Sequence, residues 1–453
     1  MPKLNRWYLA VSVLVLLVAV CLRFYHFTAR APFDWDQNRD YAAVSSIAQG
    51  KFTLIGPVAR GDGGFHLGPV YYYLLVPGYL ATHGDPASLA VTAMVIDLFT
   101  ILSVLLLLQR FTGKLVALAV GSIWAVSPFI VDWSRVSWNV VLLPLWTVFT
   151  LAAWSALVAR KNWGLVALGA LFGLAWHIHA SLIPIIPVLA IFAIRFWPRD
   201  WRVYALAALA SFIVYSPLFL FDLRHVWFNT HLIFETWASG QIVHAPWGVA
   251  AGDVVGKLGK NTLGIFTSNF RFSLPVGAAV LALSLFTPFL SPIYSGAGLI
   301  LLTNVVLAVI LRDPGFPEYY LAASFVPTIL IYFGVLQRLL KNFATAIVAS
   351  FFVIYLALHL TWSPLPFGLS VKQNLAAKLA TLSPISLEFD LPPGREGGII
   401  PLLTLQGTVL ARTSPHHILV TDKQDGPLYI SGELATDIVR IGGFRAAGVT
   451  SVK

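Results

Sequence analysis

The stretch FDWDQNRDYA, residues 33–42, concentrates charge: Asp34, Asp36, Arg39 and Asp40 lie within seven positions. Asp36 and Asp40 are four residues apart, so on a helix both carboxylates would face one way, with Arg39 beside them. A carboxylate near an arginine stays ionised and can accept a proton from an attacking hydroxyl group. The arginine can also neutralise a phosphate through two parallel hydrogen bonds. The spacing therefore permits acid–base chemistry on a phosphate-linked substrate.

The same residues also permit a purely structural interpretation. Asp34 or Asp36 could cap a helix that begins near Gln37, and Arg39 could pair with an aspartate on the same helix face. Both interpretations place a charged helix directly after an apolar segment. The choice between them depends on the elements that surround this helix.

Composition identifies those elements as membrane-spanning helices. The chain has 453 residues, of which 58% are hydrophobic and only 11% charged, and its mean hydropathy is +0.78. A soluble domain has about 25% charged residues, and long runs without charge indicate spanning helices. The net charge of +10 comes mostly from short basic clusters between apolar runs, so it does not indicate nucleic acid binding. The single cysteine, Cys21, excludes an intrachain disulfide.

Eleven spans are predicted. The N-terminal apolar run lacks a small-residue cleavage site and is interpreted as an uncleaved first helix. The run from Trp163 to Trp197 would be about 50 Å long as one helix, too long for a single crossing, and is divided near Ala180. The predicted spans are 7–24, 87–108, 115–131, 138–159, 163–179, 181–197, 203–221, 275–291, 296–311, 319–336 and 343–361.

The distribution of basic residues predicts the orientation in the cell membrane. With a cytoplasmic N terminus, every predicted cytoplasmic loop except the uncharged one near Ser291 to Ser295 carries basic residues, as the excess of positive charge in inner loops predicts. These are Arg110 and Lys114; Arg160 and Lys161; Arg195, Arg199 and Arg202; and Arg338 and Lys341. Eleven spans then give an extracytoplasmic C terminus. The acidic motif lies outside, in the loop between the first two spans.

Three large segments are expected outside the membrane: 25–86, 222–274 and 362–453. The first contains PVYYYLLVPGYLA, which is predicted to lie as a helix in the membrane interface with its tyrosines at headgroup level. The last has short apolar runs between turn residues, which predict a small β-containing region. We therefore divide the chain into a transmembrane domain, 1–361, and an extracytoplasmic C-terminal domain, 362–453.

Four further polar motifs lie at the outer ends of predicted spans or of the interfacial helix. They are GFHLGPVYYYLL (64–75), SPFIVDWSRVSWN (127–139), FDLRHVWFNT (221–230) and FPEYYLAASFVP (316–327). Any one charged residue at a helix end can simply extend to water, but several such ends on one membrane face indicate one site. The candidate substrate-binding residues are Arg39, Asp40, His66, Tyr71, Tyr72, Arg135, Asn139, His177, His179, Arg224, His225, Glu318 and Tyr319.

The order of these motifs resembles the GT-C membrane glycosyltransferases, specifically family 39 or the protein O-mannosyltransferase-like group, which includes bacterial aminoarabinose transferases. The resemblance covers roughly residues 1–361. It implies an all-α polytopic fold and a polyprenyl-phosphate-linked sugar as donor. It also implies a lipid, glycan or protein acceptor outside the membrane. Asp36 matches the first acid of the family's Asp-Glu pair and would be the catalytic base, while Gln37 stands where many members have Glu. His66 precedes a Gly-Pro where aminoarabinose transferases have Lys before paired prolines.

Other functions have less support in the sequence. No GxxxxGK[ST], GxSxG or HExxH motif is present, which disfavours ATP-driven transport and hydrolysis. The alternative function is a transporter or flippase of a lipid-linked saccharide; a scaffold is a third class. No cofactor is implied. A divalent metal is not favoured, because with Gln37 in the motif it would need acids such as Asp34, Asp132 or Glu318. His177 and His179 alone are too few ligands.

Overall fold

The helices of the computed structural model dominate its architecture; the structure describes residues 6–59, 64–238, 244–267, 269–313, 316–411, 414–431 and 433–450. The first ten α-helices are α1 (Arg6–Phe24), α2 (Phe27–Arg30), α3 (Trp35–Ala48), α4 (Val70–Ala81), α5 (Ala87–Ser103), α6 (Gln109–Thr112), α7 (Lys114–Val126), α8 (Pro128–Ser134), α9 (Leu142–Val158) and α10 (Asn162–Ile178). The next nine are α11 (Ile185–Phe192), α12 (Trp201–Arg224), α13 (Phe228–Ala238), α14 (Trp247–Phe266), α15 (Ser273–Leu285), α16 (Pro292–Leu311), α17 (Phe325–Leu358), α18 (Leu369–Ala380) and α19 (Ile399–Leu405).

Within the described ranges the strands lie in the C-terminal region: β1 (Ile385–Asp390), β2 (His416–Thr421), β3 (Tyr429–Ile430), β4 (Glu433–Leu434), β5 (Thr436–Ile441) and β6 (Phe444–Thr450). Four of them form a sheet in the order β1-β2-β6-β5, in which β1 and β2 are parallel and the other pairs antiparallel. Strands β3 and β4 form a separate two-stranded sheet. The predicted fold class, a polytopic helical protein with a small β-containing C-terminal segment, is confirmed.

By length and composition, six helices among the described residues can cross a membrane, or seven if the bent pair α7–α8 is one span. One of the six, residues 318–358, is two antiparallel helices. Lys341 interrupts α17 with a φ of 62°, and the rings of Tyr332 and Phe352 lie 6.0 Å apart. Twenty residues of straight helix would separate them by about 30 Å. The chain therefore reverses near Lys341, between the predicted spans 319–336 and 343–361.

The apolar run 163–197 is broken near Ala180, as predicted. His179 has extended backbone, and its Nδ1 accepts a hydrogen bond from the Ser181 backbone N–H. The second half forms the eight-residue α11 with 3₁₀ turns on both sides, Ala180–Leu182 and Ile194–Phe196. The predicted span 181–197 is therefore not one continuous helix.

The predicted outer segment 222–274 contains two helices that were not identified from the sequence, α13 and the 20-residue α14. Helix α14 packs closely on α15: a Cβ on Gly259 would lie 1.6 Å from the Ser273 carbonyl oxygen, so only glycine fits. Asp253, Lys257 and Lys260 give α14 a polar face. A search for continuous apolar runs does not detect this helix, because an amphipathic helix is apolar along only one stripe and its polar face interrupts the run.

A buried ion pair fixes the end of α1 from which the chain leads to the acidic motif. Arg23 Nε donates to Asp97 Oδ2 at 2.8 Å, and both side chains are buried. The guanidinium also donates to the carbonyl oxygens of Trp124 and Ala125, while Trp124 Nε1 donates to Asp97 Oδ1. A buried charge pair is tolerated when its remaining hydrogen bonds are made. This network ties α1 to α5 and α7.

The C-terminal region packs on the segment that follows α1. The backbone N–H groups of Leu365 and Leu369 donate to the carbonyl oxygens of Ala29 and Ala31, at 2.8 and 2.9 Å. The region therefore lies at the end of α1 remote from the N terminus, on the same side of the molecule as the acidic motif. The orientation of both termini across the membrane stays a prediction.

Candidate functional site

The acidic motif forms the start of helix α3, with Asp34 at its N-cap position. The Asp34 backbone N–H donates to Gln37 Oε1 at 2.9 Å, and Gln37 Nε2 donates to the Ser137 carbonyl oxygen at 2.7 Å. A buried amide can accept one hydrogen bond and donate another, whereas an ionised glutamate can only accept. Gln37 therefore ties the first turn of α3 to the segment between α8 and α9.

Arg39 joins the two remaining carboxylates of the motif. Its Nη1 donates to Asp36 Oδ1 at 2.8 Å, and its Nε and Nη2 donate to Asp40 Oδ1 at 2.8 and 2.6 Å. Asp36 is 43% exposed, whereas Asp40 is fully buried. The predicted grouping of both carboxylates around Arg39 is confirmed, but only Asp36 reaches open space.

Burial raises the pKa of Asp40 from its ordinary value of 3.8 to about 7, against the opposing effect of the Arg39 guanidinium. Its second oxygen, Oδ2, is buried and has no hydrogen-bond partner among the residues that the structure describes. Two buried tyrosines, Tyr71 and Tyr72, complete the surroundings of Asp40. Burial is the larger cause that raises the pKa of both tyrosines, and the negative charge of the Asp40 carboxylate raises it further. Tyr71 is also hydrogen bonded to Ser137 Oγ at 2.8 Å. The motif therefore rests on protonated tyrosines and one buried carboxyl group.

Stability should fall as pH rises through the titration of Asp40. Because the folded-state pKa is raised, the folded protein holds this proton more tightly than the unfolded chain between about pH 4 and pH 7. The contribution is present below about pH 4 and is lost towards pH 7, a change on the order of 4 kcal/mol. We expect the melting temperature of the purified wild type to decline across this window more steeply than that of Asp40→Asn. Parallel curves for the two proteins would contradict the assignment.

A cavity of about 830 Å³ lies against the exposed side of α3. Its polar and aromatic lining comes from seven parts of the chain, and consists of Trp35, Asp36, Arg39, Phe65, Trp138, Asn139, Trp176, His179, Ser181, Thr236, Asn304, Phe316, Tyr319 and Tyr320. The rest is apolar and extends along α11 to Ile191, which is 63% exposed. The acidic motif thus lies at one end of a cavity whose other walls suit an apolar molecule.

Aromatic rings form the wall nearest the motif. The ring centroids of Trp138 and Tyr319 are 4.8 Å apart, those of Tyr319 and Tyr320 5.1 Å, and those of His179 and Tyr320 4.6 Å. Asn139 is fixed beside them by its Nδ2 donation to the Ile178 carbonyl oxygen at 2.6 Å. Aromatic faces and an amide at one wall can bind a sugar ring through apolar and hydrogen-bonding contacts together.

Arg135 lies apart from this cavity, although its motif contributes to the lining. It is fully buried, and its guanidinium donates to the carbonyl oxygens of Leu22, Arg23 and Tyr25 and to the Asp132 carboxylate. Desolvation lowers the pKa of its guanidinium. These bonds use the donors that a phosphate would need, so the arrangement is that of a structural arginine at the end of α1.

His66 and His177 are close to the cavity wall but also do not line it. His177 Nε2 donates to the Val214 carbonyl oxygen at 2.7 Å, and its ring packs against Gly68, where a Cβ would lie 1.9 Å from Nδ1. The backbone of His66 is bound in both directions by the amide of Asn229, at 2.6 and 3.1 Å. His66 and His177 therefore shape the loop whose Phe65 and Leu67 line the cavity.

The remaining candidates lie on the surface. Arg224 is exposed at the end of α12, His225 stacks on Phe221 at 4.1 Å, and Glu318 forms an ion pair with Lys260 at 2.9 Å. The FDLRHVWFNT motif has a different role from the predicted one. Its Asp222 accepts hydrogen bonds from the Asn229 and Thr230 backbone N–H groups, and so holds the asparagine that binds His66.

Sequence reasoning missed Trp138, Tyr320 and Asn229. Trp138 and Tyr320 are direct neighbours of the predicted Asn139 and Tyr319, and aromatic rings beside polar residues at a span end were the available signal. Asn229 had no signal beyond its place in the motif.

Across the described ranges, no three His, Cys, Asp or Glu side chains are grouped as a metal site; the expectation that no metal is bound stays a prediction.

Comparisons with known proteins relate part of the sequence to a family and the fold to solved structures. Residues 66–221 match the family described as dolichyl-phosphate-mannose-protein mannosyltransferase, whereas no curated protein sequence matches significantly. The fold is similar to that of ArnT from Cupriavidus metallidurans bound to undecaprenyl phosphate: the TM-score is 0.62 at 13% identity, over 96% of this chain and 97% of ArnT. The apo form of ArnT gives a TM-score of 0.60 with the same identity and coverage.

An oligosaccharyltransferase from Archaeoglobus fulgidus in the apo form is more distant, with a TM-score of 0.50 at 14% identity over 91% of this chain and 65% of that one. The mannosyltransferase match includes His66, Arg135, Asn139, His177 and His179, and the shared fold extends over nearly the whole chain. The predicted resemblance to the GT-C glycosyltransferases is therefore confirmed: residues 66–221 match the mannosyltransferase family, and the fold of nearly the whole chain is similar to that of ArnT.

Proposed function

We propose that the protein transfers a sugar from a polyprenyl-phosphate-linked donor to a lipid, glycan or protein acceptor, in the cavity beside α3. One observation carries this proposal. The Asp36–Arg39 pair lies at the polar end of a cavity whose apolar wall reaches the exposed Ile191 on α11, within the predicted membrane region. A prenyl chain could lie along that wall with its phosphate-linked sugar beside the ion pair. ArnT, which shares the fold, binds undecaprenyl phosphate, in keeping with such a donor.

Asp36 is proposed as the catalytic base. Its Oδ1 is held by Arg39 at 2.8 Å, and no hydrogen bond to its Oδ2 occurs within the described part of the chain. This oxygen can accept the proton of the acceptor hydroxyl or amine as that group attacks the anomeric carbon. The bond between the anomeric carbon and the phosphate oxygen breaks, and its electron pair leaves with the polyprenyl phosphate.

Arg39 is proposed to stabilise the phosphate that leaves. Among the described residues that line the cavity, Arg39 is the one arginine or lysine. Its hydrogen bonds to Asp36 and Asp40 fix the guanidinium before substrate binds. A preorganised charge stabilises developing negative charge without reorganisation during the reaction. The neighbouring wall of Trp138, Tyr319 and Tyr320 is proposed to hold the sugar ring.

Transfer is tested with purified protein, a radiolabelled polyprenyl-phosphate sugar and a mixture of candidate acceptors. We expect the label to appear on an acceptor, with free polyprenyl phosphate released in equal amount. A flippase would move the labelled lipid between the leaflets of a vesicle and leave it intact, and a scaffold would not bind it. Intact donor at all times, despite saturable binding, would therefore exclude the proposed function.

A further inference from the structure

The lysine at position 372 is an unusual residue in the C-terminal region because it is fully buried. Its Nζ donates to the carbonyl oxygens of Phe33 and Gly397, at 2.5 and 2.8 Å, and to Asp34 Oδ1 at 3.2 Å. An ammonium group has three donors and no acceptor, so its hydrogen-bonding capacity is used completely. All of these partners lie at the meeting point of α18, the 394–398 turn and the start of α3.

Burying this cation is unfavourable unless its partners compensate. Desolvation lowers the pKa of Lys372, and the nearby Asp34 carboxylate opposes that shift. An apolar side chain of similar length would fill the same volume without a desolvation cost. The lysine instead joins three backbone segments at fixed positions, which an apolar residue would not do.

The contact bears on Asp36 through the first turn of α3. Asp34, the N-cap residue, is two positions before Asp36, and Trp35 between them lines the cavity. The turn that Lys372 binds is pressed against the same residues: a Cβ on Gly394 would lie 2.8 Å from Trp35 Cβ, and one on Gly397 would lie 2.8 Å from the Asp34 carbonyl oxygen. Gly394 also has a φ of +86°, which favours glycine.

Two anchors therefore hold the start of α3. Gln37 fixes it to Ser137 in the transmembrane part, and Lys372 fixes it to the C-terminal region. The described residues that line the cavity all lie at or before Tyr320. The contact of the C-terminal region with the start of α3 therefore gives this region a route to the position of Asp36.

We propose that Lys372 is a positioning residue that sets Asp36 in the geometry required for proton transfer, an inference that rests on the proposed function. Errors of about 1 Å at a reacting group can reduce rates by about a hundredfold. The donor's prenyl chain and phosphate would bind along α11 and at Arg39, which Lys372 does not touch. Loss of the lysine should therefore affect turnover far more than donor binding.

The test compares Lys372→Met with Lys378→Met, a control on the same helix whose side chain is exposed. We expect Lys372→Met to lower kcat by about ten- to a hundredfold while the KM for donor changes less than twofold, and the control to behave as wild type. Equal losses in kcat and donor affinity, or unchanged kcat in a folded variant, would overturn the proposal.

A second readout does not depend on activity. Hydrogen–deuterium exchange in backbone amides of residues 35–42 should be faster in Lys372→Met, whereas exchange in α10 should be unchanged. If Lys372→Met fails to fold, Lys372→Gln retains two donors for the Phe33 and Gly397 oxygens and should show the same pattern in weaker form. Wild type without transfer activity would refute the proposed function, whereas unchanged exchange in residues 35–42 would refute the anchoring role of Lys372.

Discussion

Asp36→Asn should reduce sugar transfer by about 10²- to 10⁴-fold, the range over which general base catalysis contributes. Asparagine has nearly the same shape as aspartate, and its side-chain oxygen can still accept the hydrogen bond from Arg39 Nη1 that Asp36 Oδ1 accepts at 2.8 Å. Its nitrogen cannot accept a proton from the acceptor. Donor affinity and melting temperature should therefore remain close to wild type, because Asp36 is partly exposed and its exposed ion pair contributes little to stability.

Asp253→Asn is the matched control for this experiment. Asp253 is an aspartate of similar exposure that also pairs with a basic residue of its own helix, Lys257, at 2.6 Å. It does not line the cavity, so its replacement should leave turnover unchanged. Steady-state transfer and donor binding are measured on both variants. Near-normal turnover in Asp36→Asn would show that another group takes the proton.

The transmembrane architecture was largely predictable because most spans combine apolar composition with charged ends. The chain reversal at Lys341 followed from the basic residues Arg338 and Lys341, which interrupt an otherwise apolar stretch. Helix α14 was not predictable in this way. It is stabilised by packing one stripe against α15, with Gly259 at the crossing, and such a stripe is diluted when hydropathy is averaged over the whole helix.

The site was predictable to the extent that polar motifs gather at one membrane face. Asp36, Arg39, Asn139, His179 and Tyr319 do line one cavity. A linear motif gives the face but not the direction of each side chain. For instance, the Arg135 guanidinium donates its hydrogen bonds to carbonyl oxygens at the end of α1, more than a hundred positions away. Those acceptors come close to Arg135 only in the folded chain.

Lys372 shows a signal that was present but not used. In α18 the buried residues Leu369, Lys372, Leu375 and Leu379 recur at spacings of three and four, so the lysine lies on the apolar stripe of an amphipathic helix. Lys378 lies off that stripe and is exposed. A charged residue within such a stripe indicates a buried partner, although its identity, here the start of α3, depends on long-range packing.

Arg39→Met should have the second large effect, on stability as well as on activity. The guanidinium makes two hydrogen bonds to the fully buried Asp40 Oδ1, at 2.8 and 2.6 Å. Removing one member of a buried ion pair typically costs about 3–5 kcal/mol, because the buried carboxyl group must then stay charged without a partner or take up a proton. We expect a clear fall in melting temperature and no measurable transfer. Arg440→Met, which removes an exposed pair with Asp437, is the control and should leave the melting temperature close to that of wild type.

The double variant Arg39→Met/Asp40→Asn separates the two roles of the arginine. Asparagine at position 40 removes the ionisable carboxyl group that the methionine leaves without its cation, so the melting temperature should return most of the way to wild type. Transfer should stay lost, because the cation proposed to stabilise the leaving phosphate is still absent. If the double variant regained transfer together with stability, Arg39 would act only by neutralising Asp40, and another cation would have to meet the phosphate. Recovery of stability alone, measured on the same preparation, is the result that the geometry of α3 predicts.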